Sequence, residues 1–120
     1  MLETRHAYLI LAHRKWIQLF ILLHLLDHAQ NDIFLHIDKT SRGWSAVALH
    51  DSIHQGKLKI FSRFHLAWGS EALVDATLTL LDSAVKTPHL YYHLLSGMDL
   101  PLRSQDEIHA FFAKAEHAEF

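Results

Sequence analysis

The chain has 120 residues, half of them hydrophobic and a fifth charged, which is one domain's worth of ordinary globular composition. A formal net charge of -2 supplies neither the excess charge of a disordered segment nor the basic stripe of a nucleic-acid binder. No cysteine is present, which excludes disulfides, iron–sulfur clusters and thiolate zinc sites and fits a reducing compartment.

In chain order, Ala7 to Ala12 (AYLILA) is a near-continuous apolar run of strand length, the pattern of a strand covered on both faces. Lys15 to Leu26 follows with Trp16, Leu19, Phe20, Leu23 and Leu26 at helical spacing, and Ile17, Ile21 and Leu25 on its other side predict cover there too. This most apolar stretch contains Gln18 and His24 and is far shorter than the roughly 20 residues of a bilayer span, so the chain reads as soluble. No basic segment with an apolar run and a cleavage site opens it. Asn31-Asp32 signals a turn before a strand at Ile33 to Ile37, then a weaker helix spans Trp44 to Ile53. A short strand, Leu58 to Phe61, comes after the Gln55-Gly56 turn. Ser70 can cap a long helix whose Leu73, Ala76, Leu80, Leu81 and Ala84 share one face, with Pro88 beyond its end. Leu90 to Leu95 is a fourth strand, and Ser104 to Glu107 forms a capping box ahead of Ile108, Phe111 and Phe112.

Four strands alternating with helices predict an α/β fold, an open and mostly parallel sheet with helices on both faces. Such sheets take ligands at the carboxyl ends of their strands, where strand order reverses. The polar residues to watch therefore follow the strands, and three groups do.

Ala12-His13-Arg14-Lys15 lies at a strand-to-helix turn, where backbone N–H groups, the helix dipole and basic side chains favour an anion; a solvated basic turn is the plainer alternative. No Gly-rich dinucleotide fingerprint or P-loop accompanies it. His36 and Asp38 share one face of the second strand. They read as a metal pair, as a carboxylate for ribose or uracil, or as an Asp capping the next turn; magnesium would want more oxygen ligands than this pair offers. Ser96-Gly97-Met98-Asp99, stiffened by Pro101, is a fixed bend that either holds a ligand or locks itself through Asp99. His24 and His28, at i and i+4, lack a third metal ligand and read as surface residues. Trp44 reads as core, and Trp68, beside Gly69, as the better candidate for stacking on a sugar or base. Twelve His would move the formal charge from -2 to -2 + 12 = +10 in acid. Scattered surface His is the simpler reading, a pH sensor the other.

Taken together, AYLILAHRK (Ala7 to Lys15), IFLHIDK (Ile33 to Lys39), LAWGS (Leu66 to Ser70) and YYHLLSGMDLPLRSQDEIHAFF (Tyr91 to Phe112) resemble the amino-terminal half of the core-2/I-branching β-1,6-N-acetylglucosaminyltransferase family, which includes the peptide O-xylosyltransferases. The resemblance implies the Rossmann-like half of a glycosyltransferase-A fold, a single nucleotide-sugar-binding domain over residues 1–120, and a larger transferase around it. It implies transfer of N-acetylglucosamine or xylose from a UDP-sugar to a glycan or other hydroxyl acceptor, with inversion, without a metal and with no cofactor beyond that substrate. By position, Ala12, His13 and Arg14 would meet the nucleotide, Asp38 would lie near the nucleoside, and His65 would fall where relatives carry a Tyr near the donor. Trp68, Ser96, Gly97 and Asp99 would line the donor and acceptor cleft. An inverting transfer also needs a general base and positive charge for the leaving diphosphate, which in the family lie later, so the catalytic residues are expected beyond Phe120. His65 in place of Tyr and the missing cysteines suggest a bacterial-type relative, expected in the cytoplasm or peripherally on a membrane, with a homo-oligomer or a missing carboxyl-terminal half as partner. The competing reading is a noncatalytic binding or assembly module that keeps the fold. A response-regulator-like domain would need an acidic pair near the first strand, where His13 and Arg14 stand instead.

Overall fold

The computed structural model describes residues 4–66 and 71–96. In chain order these form β1 (His6–Ala12), α1 (Trp16–Leu26), β2 (Asn31–Ile37), α2 (Ala46–Asp51), β3 (Lys57–Phe61), α3 (Glu71–Ala84) and β4 (Tyr91–Ser96). The four strands make one sheet in the order β3-β2-β1-β4, with every pairing parallel.

The alternation of side chains explains why the helices divide between two faces. Tyr8, Ile10 and Ala12 of β1 join Ile33, Leu35 and Ile37 of β2 on one face, where Leu19, Leu22, Leu23 and Leu26 of α1 and Leu49 of α2 cover them. Ala7 and Leu9 of β1 and Phe34 of β2 face the other way, against Leu80 and Ala84 of α3. All seven residues of β2 are buried, as a strand sandwiched between helices requires. The chain thus winds outward from β1 to β3 over one face, then returns across the other to place β4 on the free side of β1. A right-handed crossover gives that division of helices when strand order reverses.

Several element ends differ from the sequence expectation. β2 begins at Asn31, because the polar pair read as a turn is absorbed into the sheet. The Asn31 side-chain amide donates to the Leu26 carbonyl at 2.8 Å, and Asp32 accepts from Arg5 Nε at 3.1 Å and pairs with His89 Nε2 at 2.7 Å. α2 is only six residues long. Ser45 caps it through Ala48 N–H at 3.3 Å, so Trp44 stays outside the helix and packs on the core. The cover expected over Ile17, Ile21 and Leu25 is not found among the described residues: they are 79%, 45% and 41% exposed. No described helix is long and apolar enough to cross a membrane.

His13, His24, His50, His54 and His65 are exposed as the surface reading expects, and three other histidines correct it. His6 and His36 are 1% and 0% exposed, and the His89 side chain is fully buried. His6 Nδ1 lies 2.9 Å from His93 Nε2, and the His93 ring stacks on Tyr8. An imidazole can both donate and accept, so these rings add ties across the buried sheet.

At the α2–β3 turn, the Asp27 carboxylate accepts the backbone N–H groups of His54, Gln55 and Gly56 at 2.7, 2.8 and 2.8 Å. A Cβ at Gly56 would stand 2.8 Å from the Asn31 carbonyl oxygen and 3.0 Å from that of His28, both rigid backbone. Gly56→Ala is expected to lower stability by about 1–3 kcal/mol, through overpacking rather than lost hydrogen bonds. Urea unfolding tests this; an unchanged midpoint would refute the close approach.

Candidate functional site at the sheet switch point

Strand order reverses between β1 and β4, so the crevice outside their carboxyl ends is where an open α/β sheet takes its ligand. Three loops meet at that edge. After β1, His13 and Arg14 are exposed, and Lys15 takes a left-handed conformation (φ 59°, ψ 59°) as the cap of α1. Such backbone costs a non-glycine residue about 1 kcal/mol and is often kept at functional sites. No side chain caps the helix at Lys15 and no acidic residue sits in its first turn, so its N–H groups and positive dipole end face outward.

The loop after β2 is locked onto the first. Asp38 N–H donates to the Ala12 carbonyl at 2.9 Å and Ser41 Oγ to the His13 carbonyl at 2.6 Å. Trp16 Nε1 donates to the Arg42 carbonyl at 3.0 Å, over Gly43, whose φ of +83° favours a residue without a side chain.

The loop after β3 is held by the two polar side chains at the end of β2. His36 Nε2 accepts from the backbone N–H groups of Arg63 and Phe64 at 3.1 and 3.3 Å. The proton of a neutral ring must then sit on Nδ1, which is buried and has no partner among the described residues. Burial, outweighing the pull of the nearby Asp38 carboxylate, holds the His36 pKa below its ordinary value, with Arg63 adding to the depression. In that tautomer the Nε2 lone pair is taken up by the two loop N–H groups. Among the described residues no three His, Asp or Glu side chains converge as metal ligands.

Asp38 is 4% exposed. Its Oδ1 accepts from Thr40 N–H and Thr40 Oγ1, both at 2.8 Å, and lies 3.1 Å from His65 Nδ1, while Oδ2 accepts from Leu66 N–H at 3.1 Å. Burial would raise this carboxyl, but the hydrogen bonds from His65, Thr40 and Leu66 outweigh it and hold the pKa at about 2. Asp38 thus caps the following turn, one of the roles open from the sequence.

A cavity of about 830 Å³ opens beside these loops, between α3 and β4. Leu11, Leu66, Val74 and Leu94 give it apolar walls, while His13, Arg14 and Ser96 supply polar groups. The structure thus brings Ala12, His13, Arg14, Asp38 and His65 to one edge, with Ser96 on the same cavity as His13 and Arg14. Ala12 is buried and contributes its carbonyl to the loop network. Trp68, Gly97 and Asp99 lie outside the described residues, as does the helix expected after Ser104. The sequence reading missed Thr40 and Ser41, although Asp-Lys-Thr-Ser after a strand carries the Asx-turn signal. It also missed the carbonyls and N–H groups through which the loops are tied, which no side-chain pattern reveals.

An open parallel α/β sheet with basic residues after β1 and a helix without a side-chain cap beside its switch point has the strand-tip arrangement at which such sheets can take ligands. The family model described as Core-2/I-Branching enzyme matches residues 6–120, nearly the whole chain, and the protein belongs to that family. The chain is similar to xylosyltransferase 2 of Rattus norvegicus and of Mus musculus, 26% identical to each over 122 residues. The match covers 98% of this chain and 14% of each relative. The sheet described above is consistent with the Rossmann-like half of a glycosyltransferase.

The loop clasp should fail in acid in two steps. His36, depressed in the fold, contributes stability that is full above about 6.5 and declines as pH falls toward its folded value. Asp38, lowered from 3.8 to about 2, contributes stability that is full above 3.8 and is lost as pH falls through about 2. Between pH 6 and pH 3 the stability advantage of wild type over Asp38→Asn is expected to shrink by about 1 kcal/mol. Urea unfolding of both proteins measures it; a constant difference would refute the assigned charge.

Proposed function

We propose that this chain is the donor-binding half of a glycosyltransferase that takes a UDP-sugar, with N-acetylglucosamine or xylose as the transferred group, and delivers it to a hydroxyl acceptor with inversion and without a metal. The family match over residues 6–120 carries the reading. The site geometry supports it independently. A nucleoside diphosphate needs fixed N–H donors and cations for its phosphates, which the first turn of α1 with Arg14 and Lys15 offers. A mainly apolar cavity alongside suits a base or a sugar face.

The chemical step needs more than these residues. Inversion is a single displacement in which the acceptor hydroxyl loses its proton to a base as the diphosphate departs. In this reading the base and further cations for the leaving group come from the remainder of the transferase, and the described half binds and orients the donor. Ile17, Ile21 and Leu25, exposed on α1, are apolar surface available for that remainder or for another subunit to cover.

Calorimetry with UDP tests the reading. Wild-type chain is expected to bind, and Arg14→Ala or His13→Ala to weaken binding roughly tenfold, about 1.4 kcal/mol. Absence of UDP affinity in the wild type and in a longer chain would favour the assembly module instead. Full-rate sugar transfer by the 120 residues alone would refute the placement of the catalytic groups outside them.

A further inference from the structure

α1 is unlike a helix whose outer side faces water. Its residues, Trp16–Leu26, include no charged side chain, and their polar ones are Gln18 and His24. Yet Ile17, Ile21 and Leu25 are 79%, 45% and 41% exposed. α3 shows how this chain solvates a helix: Glu71, Asp75 and Asp82 stand among its exposed positions. Three large aliphatic side chains in one row against water forgo burial that contributes about 1.5–3 kcal/mol for each side chain fully covered. The stripe is a contact surface awaiting its cover.

The spacing of the stripe selects its occupant. Positions i, i+4 and i+8 form one ridge along the helix, with Ile21 midway between Ile17 and Leu25. Reversing the helix end for end about Ile21 maps this ridge onto itself, with an aliphatic residue at each position. A two-fold contact requires that symmetry, because both copies must offer the same patch. Antiparallel pairing sets Ile17 against Leu25 of the second copy and Ile21 beside its own equivalent. It also brings opposite ends of the two helix dipoles together. A ridge without charge calls for a partner without charge, and a second α1 is one. The formal net charge of -2 raises little repulsion between copies.

We propose that Ile17, Ile21 and Leu25 form a self-association surface, on which α1 of a second copy of this chain packs antiparallel about a two-fold axis beside Ile21. At a helical rise of roughly 1.5 Å per residue the ridge is only about 12 Å long, so the dimer is a weak one. The stripe lies on the α1 side of the sheet, whereas the cavity with His13 and Arg14 lies between α3 and β4. Pairing therefore leaves that cavity open, and the inference stands apart from the identity of the ligand.

Sedimentation of the full chain is expected to show a mass that rises toward twice 13.9 kDa as concentration increases. Ile21→Lys buries an unpaired ammonium against its own copy and should weaken association roughly tenfold or more. Its urea midpoint should match wild type, because Ile21 belongs neither to the buried core nor to the cavity lining. The chain has no cysteine, so introduced thiols report contacts without background. A disulfide needs Cβ atoms within about 4.5 Å of each other. Ile21→Cys should form a disulfide-linked dimer on mild oxidation, and Ile17→Cys should link chiefly to Leu25→Cys when the two are mixed. Val74→Cys, exposed on α3, should link far more slowly. A monomer at every concentration overturns the proposal and leaves the stripe to the remainder of the transferase. A dimer that Ile21→Lys leaves intact, or that Val74→Cys captures as readily as Ile21→Cys, overturns it too. Should Ile21→Lys fail to fold, the cysteine series decides by itself.

Discussion

At the carboxyl edge of the sheet, the buried carboxylate of Asp38 accepts from the backbone and hydroxyl of Thr40, from His65 and from the Leu66 N–H. Its own N–H reaches back to Ala12, so one residue ties together the loops that follow β1, β2 and β3. Without these ties the loops would sample many conformations, and each ordered residue costs about 1–2 kcal/mol of backbone entropy. A charge can be buried here because four donors surround it. His36, one pleat earlier on the same face, anchors Arg63 and Phe64 in the same manner without charge. The opposite edge is fastened by another carboxylate, Asp32, paired with Arg5 and His89. The strand tips are thus rigid where the apolar core has ended.

Sheet order determines what those tips can do. Because β4 lies beside β1 rather than beside β3, the helices preceding and following the reversal separate onto opposite faces and leave a crevice between them. The cavity between α3 and β4 occupies that position, with His13, Arg14 and Ser96 on it. Membership in the Core-2/I-Branching enzyme family accords with such an arrangement, and the sheet itself accounts for why its polar residues sit after strands instead of within helices.

How much of this was legible in the sequence depended on what each pattern could carry. The unbroken apolar runs in β1 and β2 announced buried parallel strands, and the Leu73–Ala76–Leu80–Ala84 spacing announced α3. Asn31-Asp32 misled because both residues are ordinary turn formers, and only long-range partners (Leu26, Arg5 and His89) make them strand residues. For the same reason the buried histidines looked like surface: an imidazole declares its burial through its partners, not its neighbours in sequence. In the site, alternation correctly put His36 and Asp38 on one face. It could not say that the face meets backbone N–H groups of a loop 27 residues later. Lys15 carries no local signal for its left-handed backbone, since nothing in Arg-Lys-Trp favours it.

The register of β4 against β1 has a consequence for how the molecule is made. His6 pairs with Tyr91, so the strand bordering the crevice emerges from the ribosome 91 - 6 = 85 residues after its partner. At typical elongation rates this is a wait of roughly 4 to 17 seconds. Through that interval one edge of β1 offers unpaired amides beside Leu9 and Leu11, an invitation to foreign strands. The nascent chain can assemble β1, β2 and β3 as a half-sheet, but the crevice beside β1 has only one wall until β4 arrives. Synthesis therefore supplies the three-stranded scaffold before the strand that borders the crevice.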